Sequence, residues 1–194
     1  MQASQVDQLR EEVSAILPVV GEADKVLLRL ESGGGVVHGY GLAASPLMRL
    51  KDAGIKLTIS VDKVAASGGY MMACVGDEII AAPFAILGSI GVVAQLPNFH
   101  RLLKKNDIDF EMHTAGEYKR TLTVFGENTD KAREKFQADI DDIHVLFKEF
   151  VSSNRPVVEI DEVGTGEFWF GQRALEKNLA DRLCTSDSFL VEHL

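Results

Sequence analysis

The chain has 194 residues, 46% hydrophobic and 25% charged, with 20 Lys and Arg against 29 Asp and Glu and a formal net charge of −9. That length suits one domain with a substantial core, and the acidic balance, with no Lys/Arg-rich stripe, excludes a nucleic-acid partner. No run approaches the roughly 18 apolar residues needed to span a bilayer and no signal peptide opens the sequence, so the piece itself is expected to be soluble.

Apolar residues three and four apart over 6–17 predict an amphipathic helix. Residues 25–30 read as a buried strand, ended by Ser32-Gly33-Gly34-Gly35. A helix is expected from about residue 40 to 51, with Pro46 in its first turn or kinking it. A strand over 56–61 leads to the turn Val64-Ala65-Ala66-Ser67-Gly68-Gly69-Tyr70 and a short helix to Cys74. Residues 78–82 form a strand closed by Pro83, and 86–93, apolar and glycine-punctuated, read as a strand with close backbone neighbours. A helix over 99–105 and a strand over 109–113 come next. From 129 to 151 a long amphipathic helix runs through Phe136, Ile140, Ile143, Phe147 and Phe150, and a last helix near 171–177 leads to a short strand. Strands alternating with helices imply parallel βαβ crossovers, hence an α/β fold in a single domain over 1–194. Cys74 and Cys184 form no CxxC or metal-ligand spacing and read as buried free thiols.

Ser67 is the first candidate functional residue. A serine at a sharp strand-to-helix turn, flanked by alanines and glycines, has little steric cover, and the following helix offers free N–H groups to a negative oxygen. Those are the needs of an acyl-transfer nucleophile. The alternative is a serine that only caps its helix.

Such a nucleophile needs a base. His38, His100, His113, His144 and His193 have no acidic partner in a local motif, and their spacings do not resemble a zinc site. The other candidate is Lys119, in Gly116-Glu117-Tyr118-Lys119-Arg120. An exposed amine is protonated at neutral pH, and bringing its pKa to about 7 means disfavouring the ammonium by roughly 4–5 kcal/mol, which desolvation can supply. Ile86, Leu87 and Ile90 are the expected apolar walls. Read alone, Lys119 is also an ordinary surface lysine.

Five segments together carry a resemblance: Leu28-Arg29-Leu30-Glu31-Ser32-Gly33-Gly34-Gly35, Val61-Asp62-Lys63-Val64-Ala65-Ala66-Ser67-Gly68-Gly69-Tyr70, Gly88-Ser89-Ile90-Gly91-Val92, Gly116-Glu117-Tyr118-Lys119-Arg120, and Gly166-Glu167-Phe168-Trp169-Phe170-Gly171-Gln172-Arg173-Ala174-Leu175. In this order and spacing the chain resembles, over nearly its whole length, the catalytic domain of the signal peptide peptidase A family, SohB-type members in particular. The resemblance implies a crotonase- or Clp-protease-like spiral of βαβ units. It implies Ser67 as nucleophile, Lys119 as general base and Ser89 as a second serine that holds the amine. Gly34 and Gly68 are implied as oxyanion-hole amides, with no metal or organic cofactor. Dome- or ring-like homo-oligomers are implied as well, with residues 129–194 a helical part that contributes to packing between copies.

The sequence departs from the family pattern twice. The family's Ser-Pro-Gly-Gly is Ser32-Gly33-Gly34-Gly35 here, which frees φ at position 33 and leaves Gly34 and Gly35 as rival donors. The family's first strand and N-terminal membrane anchor are expected to be absent, since the sequence opens at Met1-Gln2-Ala3-Ser4. The expected activity is a serine endopeptidase cleaving signal peptides or other short apolar peptides. Its expected place is the bacterial inner membrane, with the catalytic domain on the periplasmic face. The rivals are a crotonase-type acyl-CoA enzyme and a non-catalytic peptide-binding or assembly domain.

Overall fold

The computed structural model describes residues 5–21 and 23–193. The segment 1–4, on which the expectation about the N-terminus rests, lies outside them. The chain divides into two compact units, Met1–Gly91 with Phe147–Leu194, and Val92–Leu146.

The first unit is α/β. Strands β1 (Lys25–Arg29), β2 (Lys56–Val61), β4 (Glu78–Ala81) and β7 (Arg182–Leu183) form an all-parallel sheet in the order β1-β2-β4-β7. β2 is buried at every residue after Lys56, as its central place between β1 and β4 requires. Leu57, Ile59, Val61, Ile79 and Ile80 are wholly buried there, each contributing about 1.5–3 kcal/mol of transfer free energy. A smaller sheet holds β3 (Val64–Ala66) and β5 (Ile86–Gly88) in parallel, with β6 (Phe168–Phe170) antiparallel to β5.

Helices α1 (Val6–Ile16), α2 (Val37–Asp52) and α3 (Gly68–Ala73) belong to this unit, as do α6 (Ile160–Val163), α7 (Gly171–Glu176) and α8 (Ser186–His193). Pro46 is buried well inside α2 rather than in its first turn. The carbonyl of Leu42 loses its helical donor to the proline. Both cysteines are free and buried, and burial pushes the Cys74 thiol up to about 12.

The second unit holds α4 (His100–Lys105) and most of α5 (Asp130–Asn154), whose final turns contribute Phe147 and Val151 to the core of the first unit. The strand expected over 109–113 does not form: this stretch is exposed and has no β-partner among the described residues. Its alternation serves another end. Phe110 packs against Phe125 with ring centroids 5.8 Å apart, and Phe125 against Phe99 at 6.1 Å. Among the described residues no helix is long and apolar enough to cross a membrane.

Candidate active site

Ser67 joins β3 to α3 with φ 53° and ψ −121°. An L-residue other than Gly rarely adopts this conformation, and it costs of order 1–3 kcal/mol unless its surroundings impose it. They do so here through the main chain. The Ser67 N–H donates to the Gly88 carbonyl at 2.8 Å, and the Ser67 carbonyl accepts from Tyr70 and Met71 at 2.9 and 3.0 Å. The side chain makes no capping hydrogen bond, so Ser67 is not held as a helix cap, and it is half-buried. The amides of Gly68 and Gly69, first in α3, have no carbonyl partner within the helix.

Ser89 stands in register with it. Ala66 pairs with Gly88 across β3 and β5, so each serine is the first residue past the same paired position. Ser89 also has φ 53°. Its N–H donates to the Glu167 carbonyl at 2.6 Å and its carbonyl accepts from Gly91 at 3.0 Å. The segment 166–175 braces this strand. A Cβ built on Gly88 would fall 2.9 Å from Trp169 Cε3, and one on Gly91 would fall 2.8 Å from the Gly166 Cα.

The glycine loop closes the third side. Gly34 is buried with φ 86°, whereas Gly35 is exposed. A Cβ built on Gly34 would lie 2.7 Å from Ser67 Cβ and 2.8 Å from both the Ala66 carbonyl oxygen and the Gly68 nitrogen. Ser32 ties the loop to β3: its N–H donates to the Val64 carbonyl at 2.8 Å, and its carbonyl accepts from Ala66 at 2.9 Å. Ser67, Ser89, Gly34 and Gly68 thus meet within the first unit.

Lys119 belongs to the second unit, exposed at the end of a turn in which its N–H donates to the Gly116 carbonyl at 3.2 Å. Gly116, at φ 94°, permits the turn. Glu117 pairs with Lys131 at 2.6 Å, and Tyr118 lies 6.0 Å and 5.6 Å from the ammonium groups of Lys131 and Lys135. The Lys131 ammonium, by hydrogen bond and charge, holds the Glu117 carboxyl below its usual range. Of Ile86, Leu87 and Ile90, expected as walls of a pocket for Lys119, Leu87 and Ile90 are wholly buried in the core of the first unit and Ile86 is half-buried. His113 lies beside Glu111 at 3.7 Å, its side chain 91% exposed. No cluster of three His, Cys, Asp or Glu side chains among the described residues is arranged to hold a metal ion.

Two contributors to this geometry escape a reading of the sequence. Tyr40 is buried with its ring against Gly68, and Trp169 covers Gly88. Tyr40 carries no local signal, and Trp169, though it stands in the segment 166–175 singled out above, is not marked there as the partner of the distant Gly88.

Two family models match, Peptidase family S49 N-terminal over residues 1–47 and Peptidase family S49 over 49–192. The chain belongs to peptidase family S49. Among the similar S49 relatives, a probable protease SohB of Buchnera aphidicola subsp. Schlechtendalia chinensis is 67% identical over 189 residues, covering 97% of this chain and 62% of the relative. One from Haemophilus influenzae is 62% identical over 192 residues, covering 99% and 54%. Another, from Buchnera aphidicola subsp. Acyrthosiphon pisum, is 61% identical over 192 residues, covering 99% and 57%. The chain therefore spans little more than half the length of these S49 relatives.

Proposed function

We propose that the chain is the catalytic part of a serine endopeptidase of the Ser–Lys type, built as a crotonase- or Clp-protease-like spiral and acting on signal peptides or other short apolar peptides. The observation that carries this reading is the Ser67 hydroxyl, free of any cap bond and held on a strained backbone between Gly34 and Gly88. The relatives described as probable proteases support peptide rather than acyl-CoA chemistry.

An extended peptide lies beside the Ser67 turn as an added strand. Ser67 Oγ attacks the scissile carbonyl and its proton passes to the Lys119 amine, steadied by the Ser89 hydroxyl. The amides of Gly34 and Gly68 receive the negative oxygen; buried Gly34, not exposed Gly35, is the loop donor. Lys119 then gives the proton to the leaving amine, the peptide bond breaks, and water hydrolyses the acyl-enzyme.

A base must be shielded from water, and Lys119 is exposed in this chain. We take the shielding surface to be a neighbouring copy in a dome- or ring-like assembly, in which Lys119 serves that copy's Ser67. The working place in this reading is the outer face of the bacterial inner membrane.

A fluorophosphonate probe tests the chemistry. Expected are an adduct at Ser67, loss of labelling in Ser67→Ala, labelling slowed by about 10²-fold or more in Lys119→Ala, and a rate that rises with protein concentration as copies assemble. An unlabelled Ser67, or labelling abolished by His113→Ala but not by Lys119→Ala, overturns the reading.

A further inference from the structure

Tyr40 touches both sides of the Ser67 turn. Its hydroxyl lies 2.7 Å from Ser32 Oγ, which also accepts the Gly34 N–H at 3.3 Å. Its ring occupies the space beside Gly68 so fully that a Cβ on that glycine would strike Tyr40 Cγ and Cδ2. Tyr40 is 5% exposed, set in the first turns of α2 and fixed by core packing. It is therefore a rigid post, linked to the Gly34 amide through Ser32 Oγ and packed by its ring against Gly68.

The loop it meets has no proline. Ser32-Gly33-Gly34-Gly35 has three consecutive residues with wide backbone freedom, yet Gly34 is held at φ 86° against Ser67. The Ser32 main-chain bonds fix the start of the loop, and the only side-chain bonds that reach into it among the described residues run through Ser32 Oγ. At 3.3 Å the Gly34 N–H is loosely held, so the amide is presented near Ser67 without being consumed by a strong internal bond.

We propose that Tyr40, acting through the Ser32 hydroxyl, is a positioning residue that sets the Gly34 amide relative to Gly68 and so aligns the oxyanion hole. The proposal rests on the peptidase reading of Ser67, and it accounts for how an all-glycine loop is pre-organised where proline is missing.

Tyr40→Phe keeps the ring and removes the hydroxyl; Ser32→Ala removes the other partner. In the full chain, with a fluorophosphonate probe at increasing concentration, each variant is expected to lower the limiting labelling rate about ten-fold and leave the half-saturating probe concentration unchanged. The double variant should fall no further than either single one, because both break one linkage. In the same proteins, amide exchange followed by NMR should show the Gly34 N–H exchanging at least ten-fold faster, with the β2 amides unchanged. A change confined to half-saturation, additive losses in the double variant, or an unaltered Gly34 exchange overturns the positioning role. Absence of labelling in the unmodified protein would instead sink the nucleophile assignment, and Gly34 exchange would still decide whether Tyr40 and Ser32 hold the loop.

Discussion

Gly34 and Ser67 pack so closely that the loop residue has no room for a methyl group: its Cβ would lie 2.7 Å from that of the serine. Gly34→Ala faces this collision and a left-handed φ of 86° together. Moving the loop away displaces the amide proposed to receive the oxyanion, so fluorophosphonate labelling of Ser67 should fall by about 10²-fold or more. Unfolding in urea should show a loss of about 1–2 kcal/mol, with the far-UV circular dichroism unchanged.

The strain at Ser67 is itself measurable. Ser67→Ala retains the Cβ and hence the penalty for a φ of 53°, whereas Ser67→Gly removes the Cβ and lets the same φ be adopted without it. The glycine variant should exceed the alanine variant by about 1 kcal/mol in urea unfolding, although glycine gains more freedom in the unfolded chain. Equal stabilities would mean that the turn holds no strain.

Beneath α3 lies a buried cation. Arg155 is 5% exposed, forms a two-pronged pair with Asp181 at 2.8 and 3.1 Å, and donates through Nε to the Asn178 carbonyl at 2.7 Å. Asp181 also accepts the Ile79 N–H at 2.7 Å, tying the pair to β4. Asp181→Ala strands the guanidinium in the core and should cost about 3 kcal/mol in urea unfolding. The double variant Arg155→Met/Asp181→Leu removes both charges and should cost less than that.

Asp62, just past β2, accepts the amide and hydroxyl of Ser186 at 2.8 and 2.5 Å and lies 3.6 Å from Arg29. Burial pushes its pKa up, but the Ser186 hydrogen bonds and the Arg29 charge outweigh that and hold the carboxyl below its ordinary value. A carboxyl depressed in the folded state stabilises the fold above its unfolded pKa, near 4, and this contribution is lost as pH falls through the lower folded value. Amide hydrogen exchange read at each pH should therefore show α8 losing protection only below about pH 4, whereas Asp62→Asn should lower that protection already at pH 7.

Much of the larger sheet is legible along the chain. β1, β2 and β4 are short apolar runs bounded by charge, glycine or proline, and α1, α2, α4 and α5 follow the helical period to within a few residues. What is not legible depends on distant partners. β6 is three residues long and exists because Trp169 finds Leu87 across an antiparallel pair. Residues 109–113 alternate as a strand should, but without a neighbouring strand the pattern gathers phenylalanines instead. The Ser67 turn is visible as a glycine-flanked break, since its backbone demands are local; the Ser89 turn is not, because 86–93 reads as one strand whereas β5 ends at Gly88 and Ser89 turns at φ 53°. Tyr40 is not either, because its role comes from meeting Ser32 and Gly68 in space.

The turn that carries Lys119 and the turn that carries Ser67 are secured by different means. Ser67 is fixed by backbone hydrogen bonds and close glycine contacts, which dissolved ions barely affect. The 116–119 turn leans on Glu117, Lys131 and Lys135, all at the surface, where ionic strength near 0.1 M screens charge beyond about 10 Å and weakens exposed pairs. Added salt is therefore expected to loosen the 116–119 turn and to leave the Ser67 turn as it is.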